Sequence, residues 1–212
     1  MKTKLIILVS ALTFVLFLTS NSFAALYNFA PNPANMYDLD HYRYYTWGWD
    51  NINLQPNEKI VSAKLTINQL YNWKPVTEEN NFLYMHLLDN SGNIQPFLPN
   101  NQVGVYTDAK GGTDNFLAWG GQQILLDTYT DIDGPTTMIN YEHLFSQAQL
   151  DALNLYAADG ILGLGFDPDC HFYNKGIAFS FETRTNAIPE PSTILLLATG
   201  LLGGIGLRRK HA

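Results

Sequence analysis

Between residues 41 and 183 the apolar positions recur in short runs, alternating or unbroken over a few residues, and turn residues interrupt them at close intervals. This pattern predicts short, half-buried strands of a sandwich or barrel, and argues against the strand and long-helix alternation of βαβ units. Lys59 to Tyr71 alternates, with Ile60, Ala63, Leu65, Ile67 and Leu70 as inward residues once a one-residue slip near Val61 is allowed. Asn81 to Leu88 reads as a strand entering the turn Asp89-Asn90-Ser91-Gly92, and Gln122 to Tyr129, Ile161 to Phe166 and Gly176 to Phe181 complete the set. Tyr42 to Trp49 carries rings on both faces, which predicts a first strand packed on each side. One helix is expected: Ser146 caps it, Gln149 completes an S-x-x-Q box, Leu150, Leu153 and Asn154 follow, and Asp159-Gly160 stops it. The expected fold is all-β, an antiparallel two-sheet β-sandwich of jelly-roll or Greek-key type, with the helix covering one end.

Both chain ends break this pattern. Residues 1–24 have a basic start at Lys2 and Lys4, an apolar stretch from Leu5 to Leu18, and small residues Ser22 and Ala24 before a cut between Ala24 and Ala25. Those are the three parts of a secretory signal peptide, and the stretch is short for a spanning helix. At the other end, residues 186–212 hold Pro189-Glu190-Pro191, an uncharged apolar run over about 194–207, and the basic cluster Arg208-Arg209-Lys210. The prolines fix an extended peptide, the run is at the low end of what spans a bilayer, and the basic cluster is expected to stay cytoplasmic. The mature domain is then residues 25–185, flanked by an N-terminal signal helix and a C-terminal hydrophobic helix.

The order Pro-Glu-Pro, apolar helix, terminal basic cluster resembles the PEP-CTERM sorting signal of Gram-negative bacteria that form exopolysaccharide. The resemblance covers about the last twenty-five residues. It implies an exosortase as partner, a membrane-embedded cysteine transpeptidase that cuts near the tripeptide. Pro189, Glu190 and Pro191 would then be the recognition element and Arg208, Arg209 and Lys210 the stop. It also implies transient inner-membrane anchoring and a final place outside the cell. An ordinary single-span anchor is the alternative for the tail.

Charge and composition narrow the partners. Residues 25–188 carry seven Lys/Arg and eighteen Asp/Glu, a net charge of −11, with no basic cluster to displace counterions from nucleic acid. An acidic surface favours solubility and divalent cations. With a single cysteine, Cys170, no internal disulfide can form, and stability rests on the core. Cys170 itself reads as a small buried hydrophobe or a thiol available for chemistry.

Two acidic loops are candidate Ca²⁺ sites, and no other cofactor is expected. Asp127, Asp131 and Asp133 alternate with other residues ahead of Gly134, although Tyr129 and Asn140 stand where an EF-hand needs acids. Asp167 and Asp169 lie in the run Asp167-Pro168-Asp169-Cys170-His171-Phe172-Tyr173-Asn174-Lys175-Gly176, which resembles a segment of other PEP-CTERM sandwich domains. That run reads as a proline turn followed by a hairpin at Asn174-Lys175-Gly176, with His171 near enough to the two acids to share a cation. Gly160 to Gly165 has its glycines in the wrong order for dinucleotide binding and reads as a strand approached closely by a neighbour.

There is no G-x-S-x-G and no H-E-x-x-H, and the five glutamates of the domain form no recognisable acid and nucleophile pair. His41, His86 and His143 read as surface or packed residues. The expectation is therefore a non-enzymatic surface or matrix protein associated with exopolysaccharide and biofilm. The alternatives are a carbohydrate-binding protein using Trp47, Trp49, Trp73 or Trp119, or a secreted hydrolase.

Overall fold

The computed structural model describes residues 24–74, 81–89, 101–108 and 112–185, with Gly200 beyond them. The signal-peptide stretch, most of the turn after Leu88 and, Gly200 apart, the Pro-Glu-Pro tail lie outside the described residues. Ten strands form: β1 (Ala24–Phe29), β2 (Arg43–Trp49), β3 (Glu58–Asn72), β4 (Phe82–Leu88), β5 (Val103–Thr107), β6 (Gln123–Thr130), β7 (Ile139–Leu144), β8 (Leu162–Pro168), β9 (Phe172–Tyr173) and β10 (Ile177–Thr185). One sheet is ordered β1-β10-β3-β7, with β9 also on β3, and the other β5-β2-β8-β4-β6. With β5 and the short β9 set aside, the chain threads eight strands through two four-stranded sheets in the order of two interlocked Greek keys. That is jelly-roll wiring.

Alternation puts the large side chains between the sheets. In β2, Tyr45, Trp47 and Trp49 face inward, and they meet Phe179 and Phe181 of β10, Leu65 and Ile67 of β3, and Leu83, Met85 and Leu87 of β4 in one buried cluster. The inward set of β3 is the one its sequence predicts, Ile60, Ala63, Leu65, Ile67 and Leu70, all buried. Two irregularities keep that set on one face. The first is the expected slip after Ile60, where Val61 and Ser62 are both exposed. The second is a register shift against β7 between Ile67 and Leu70, with Gln69 at φ 49° and its N–H donating to Asn140 Oδ1 at 3.1 Å.

Both faces of β2 are indeed covered. On its outer side Tyr44 packs with Phe116, Trp119, Leu88 and Ile161 in a second, smaller cluster under the segment Asn115–Gln122. Gly165 of β8 makes room for this cover: a Cβ there would lie 2.5 Å from the Phe116 ring. The expected helix is α1 (Gln147–Tyr156), with Ser146 accepting from Gln149 N and the Gln149 side chain accepting from Ser146 N. Asn154 grips β3 through both Ile60 N and Ile60 O at 2.9 Å, and the Gln149 amide donates to Leu126 O of β6 at 2.8 Å. The helix therefore bridges the two sheets along their β3 and β6 side. Gly160, at φ 85°, ends the short turn that follows it.

Two sequence expectations need correction. Tyr42 to Trp49 is not the first strand: Ala24–Phe29 precedes it, pairing from Ala24↔Arg184 to Phe29↔Phe179. Nor is Asn174-Lys175-Gly176 a hairpin. Asn72↔Phe172 and Tyr71↔Tyr173 pair, then Lys175 N donates to Asn68 O and Asn68 N to Gly176 O, so β9 and β10 run in one register along β3 with a break between them. Gly176 at φ 137°, with its N–H on Asn174 Oδ1, provides the kink.

Phe179→Ala should cost about 3–5 kcal/mol in urea unfolding, since it empties the centre of the core. Gly165→Ala should cost about 1–3 kcal/mol, because the fully buried Phe116 ring must shift.

Candidate functional site

Asp167 and Asp169 leave β8 on the outer face of the sheet and turn under the covering segment. Asp167 is wholly buried; its Oδ2 accepts from Asn115 N at 2.6 Å and Asn115 Nδ2 at 3.2 Å, while Oδ1 has no partner. Asp169 Oδ1 accepts from Gly112 N at 2.6 Å, and its buried Oδ2 is likewise unmatched. Beside them His86, buried in β4, places Nε2 3.0 Å from Asp114 Oδ2 and Nδ1 2.7 Å from Gln123 Oε1. Burial pushes the Asp167 carboxyl up to about 7, against the Asn115 N–H and with the charges of Asp108 and Asp114 adding to it. Burial raises Asp169 as well, opposed by Gly112 N and the Tyr84 hydroxyl and helped by the charges of Asp108 and Asp114.

The other candidate acids are engaged elsewhere. Asp127 Oδ2 accepts from the Tyr141 hydroxyl at 2.6 Å and Oδ1 from Thr128 N at 2.9 Å. Asp131 closes its own turn: Oδ1 takes Asp133 N and Gly134 N, and Oδ2 takes Asn72 N of β3 at 2.8 Å. Asp133 caps the short 3-10 turn Gly134–Thr136 without a side-chain cap bond. Asp127, the Asp131–Asp133 turn and the Asp167–Asp169 segment thus sit in separate hydrogen-bond settings, and of these acids Asp167 and Asp169 leave buried oxygens unmatched.

The four tryptophans also part company. Trp47 and Trp49 are core, their ring centroids 4.6 Å apart, and Trp119 is buried against Phe116 at 5.3 Å. Trp73 is 42% exposed, with Lys74 Nζ 4.7 Å from its ring centroid. It heads a row of rings: His171 lies 6.2 Å away, Tyr173 4.6 Å beyond that, and Tyr71 5.3 Å further. Alongside runs a cavity of about 360 Å³ lined by Ala34, Asn35, Asp38, Tyr71, Tyr173, Asn174 and Lys175.

His171 does not join Asp167 and Asp169. Its Nδ1 stands 3.9 Å from Asp40 Oδ1, and His41 Nδ1 stands 3.6 Å from the same oxygen. Among the described residues Asp40, His41 and His171 are the one set of three such ligands with an atom from each inside a 4.8 Å span. Burial lowers the His171 pKa, against the pull of Asp40 and Asp38 and with the aid of His41. No spacing in the sequence pointed to this cluster.

Of the sorting residues, Ala24 and Ala25 open β1 opposite Arg184 and Thr183, while Pro189, Glu190, Pro191, Arg208, Arg209 and Lys210 lie outside the described residues. No helix among the described residues is long and apolar enough to cross a membrane. The PEP-CTERM protein-sorting motif matches residues 187–210. No curated protein and no solved structure matches the chain. The motif makes this an exported, surface-directed protein addressed to an exosortase. The chain carries the PEP-CTERM sorting motif at its C-terminal end, and its domain is an antiparallel β-sandwich.

The Asp167 carboxyl holds its proton to higher pH folded than unfolded. Its contribution to stability is therefore complete below about pH 3.8 and is lost as pH rises through about 7. Asp167→Asn, which keeps an acceptor for Asn115, should leave stability at pH 4 nearly unchanged and raise it by about 1–3 kcal/mol at pH 8, measured by urea unfolding with chelator present.

Proposed function

We propose that the protein is a non-enzymatic component of the extracellular matrix, cut by exosortase at its tail and retained in exopolysaccharide through the aromatic groove. The observation that carries the sorting half is the order of Pro189-Glu190-Pro191, the apolar run and Arg208-Arg209-Lys210 within the matched motif. In this reading the apolar run holds the chain in the inner membrane only until the cut, and the basic cluster marks its cytoplasmic end.

Retention has its own support. Tyr71 and Tyr173 offer ring faces for the C–H side of a sugar, and Asn35, Asn174, Asp38 and Lys175 offer donors and acceptors for hydroxyls. Trp73 extends the row into solvent. Trp47, Trp49 and Trp119 have their faces occupied by protein and belong to the fold. The same groove holds no pair of carboxylates suited to glycoside cleavage among its lining residues, which favours binding over hydrolysis.

In a host that carries the exosortase, mass spectrometry of the mature protein should find a C-terminus close to Pro189 with Arg208 to Lys210 gone. Alanine at Glu190 should leave the tail in place. An intact tail on the wild-type extracellular protein would overturn the sorting reading. In sedimentation with purified exopolysaccharide from the producing cells, Trp73→Ala and Tyr173→Ala should each weaken binding about tenfold, equivalent to ~1.4 kcal/mol. Absence of wild-type binding would remove the glycan half alone.

A further inference from the structure

The chain segment that ends at Asp40 and His41 is built at a cost. Met36, Tyr37, Asp38 and Leu39 all have positive φ, between 39° and 59°, which makes a left-handed turn of non-glycine residues. L-residues disfavour that conformation, because Cβ comes too close to the following carbonyl oxygen. The turn is held because Met36 and Leu39 are fully buried and Leu39 O accepts from Phe172 N at 3.2 Å. That last bond brings the backbone on either side, Asp40-His41 and His171, together from distant parts of the chain. Strain of this kind gathers where side chains must be aimed.

What it aims is a set of metal ligands. Asp40 is fixed by its N–H on the Tyr45 hydroxyl at 2.8 Å, and its Oδ1 receives Tyr42 N at 3.3 Å. The His41 ring rests on Tyr42 at 4.0 Å and the His171 ring on Tyr173 at 4.6 Å, so neither imidazole swings freely. His41 Nδ1, the nitrogen that faces Asp40 Oδ1, is buried without any hydrogen-bond partner. A buried ring nitrogen left unmatched carries a desolvation cost that coordination would relieve. The carboxylate to imidazole separations of 3.6 and 3.9 Å are slightly wider than the edge of a tetrahedron with 2.0–2.2 Å bonds, about 3.4 Å, so small rotations would close it.

We propose that Asp40, His41 and His171 bind one Zn²⁺-class divalent transition ion, with the fourth coordination position open to solvent. Two imidazoles and one carboxylate suit such an ion and not Ca²⁺, which takes six to eight oxygens. The three side chains are 13–32% exposed, which leaves a path for the ion and a place for water. Bound there, the ion would clamp the left-handed turn to the segment between β8 and β9, so binding and folding would be coupled.

The test uses the purified full chain without a polyhistidine tag, titrated with Zn²⁺ against a chromophoric chelator. One Zn²⁺ per chain is expected, not displaced by excess Ca²⁺, together with a rise in Tm on loading. His41→Gln and His171→Gln should each weaken binding at least tenfold and abolish the Tm rise, while His143→Gln should change neither. The proposal falls if wild type shows no saturable binding in the micromolar range, or if the double variant H41Q/H171Q binds as wild type does. Should a variant fail to fold, X-ray absorption of the Zn²⁺-loaded wild type decides: two imidazoles in the coordination sphere support the site, and one or none overturns it.

Discussion

Ring-on-ring packing between the two sheets holds the domain together, and Trp49 is at its centre. It stands on β2, and its ring sits 4.6 Å from Phe29 of β1 and 5.5 Å from Phe179 of β10, both on the opposite sheet, with Trp47 at 4.6 Å beside it. The interior is built around that contact from flat, wide side chains, which bury much apolar area for few rotatable bonds. A chain with no disulfide needs this economy. Its one thiol, Cys170, is buried as part of the same core.

Filling the inner space with rings dictates what happens outside. β8 lies in the middle of its sheet, and its large residues Leu162, Leu164 and Phe166 point inward, which leaves Gly163 and Gly165 on the outer face. Gly165 lets the Asn115–Gln122 segment press Phe116 onto the sheet. That cover in turn buries Asp167 and Asp169, whose oxygens then depend on the N–H groups of Asn115 and Gly112. The raised carboxyl of Asp167 is thus a remote result of how the core is packed, reached through two layers of the fold.

The fold was legible where its causes are local. The capping box of α1 and the alternation of β3 involve residues close in sequence, and both appear as read, down to Ser146, Gln149 and the inward set from Ile60 to Leu70. β1 escaped because it is an exposed edge strand whose partner, β10, stands at the other end of the domain. Asn174-Lys175-Gly176 has the composition of a hairpin turn but serves as a break within one line of pairing along β3, a distinction made by Asn68 and not by the turn itself. The candidate sites divide in the same way. Aromatic residues were visible, yet only burial separates Trp73 from Trp47 and Trp49. His41 and His171 share no spacing motif; what joins them is the backbone bond between Phe172 and Leu39.

The register of β1 against β10 has a mechanical meaning. Ala24 faces Arg184, so the polypeptide enters and leaves the domain at neighbouring rungs of one ladder. Traction applied to both ends at once would open that ladder like a zipper, bond after bond, the weakest way to load an antiparallel pair. A pull on the tail alone falls on β10, which is gripped by β1 on one flank and β3 on the other. The first load peels the domain from its edge, and the second is shared across the sheet.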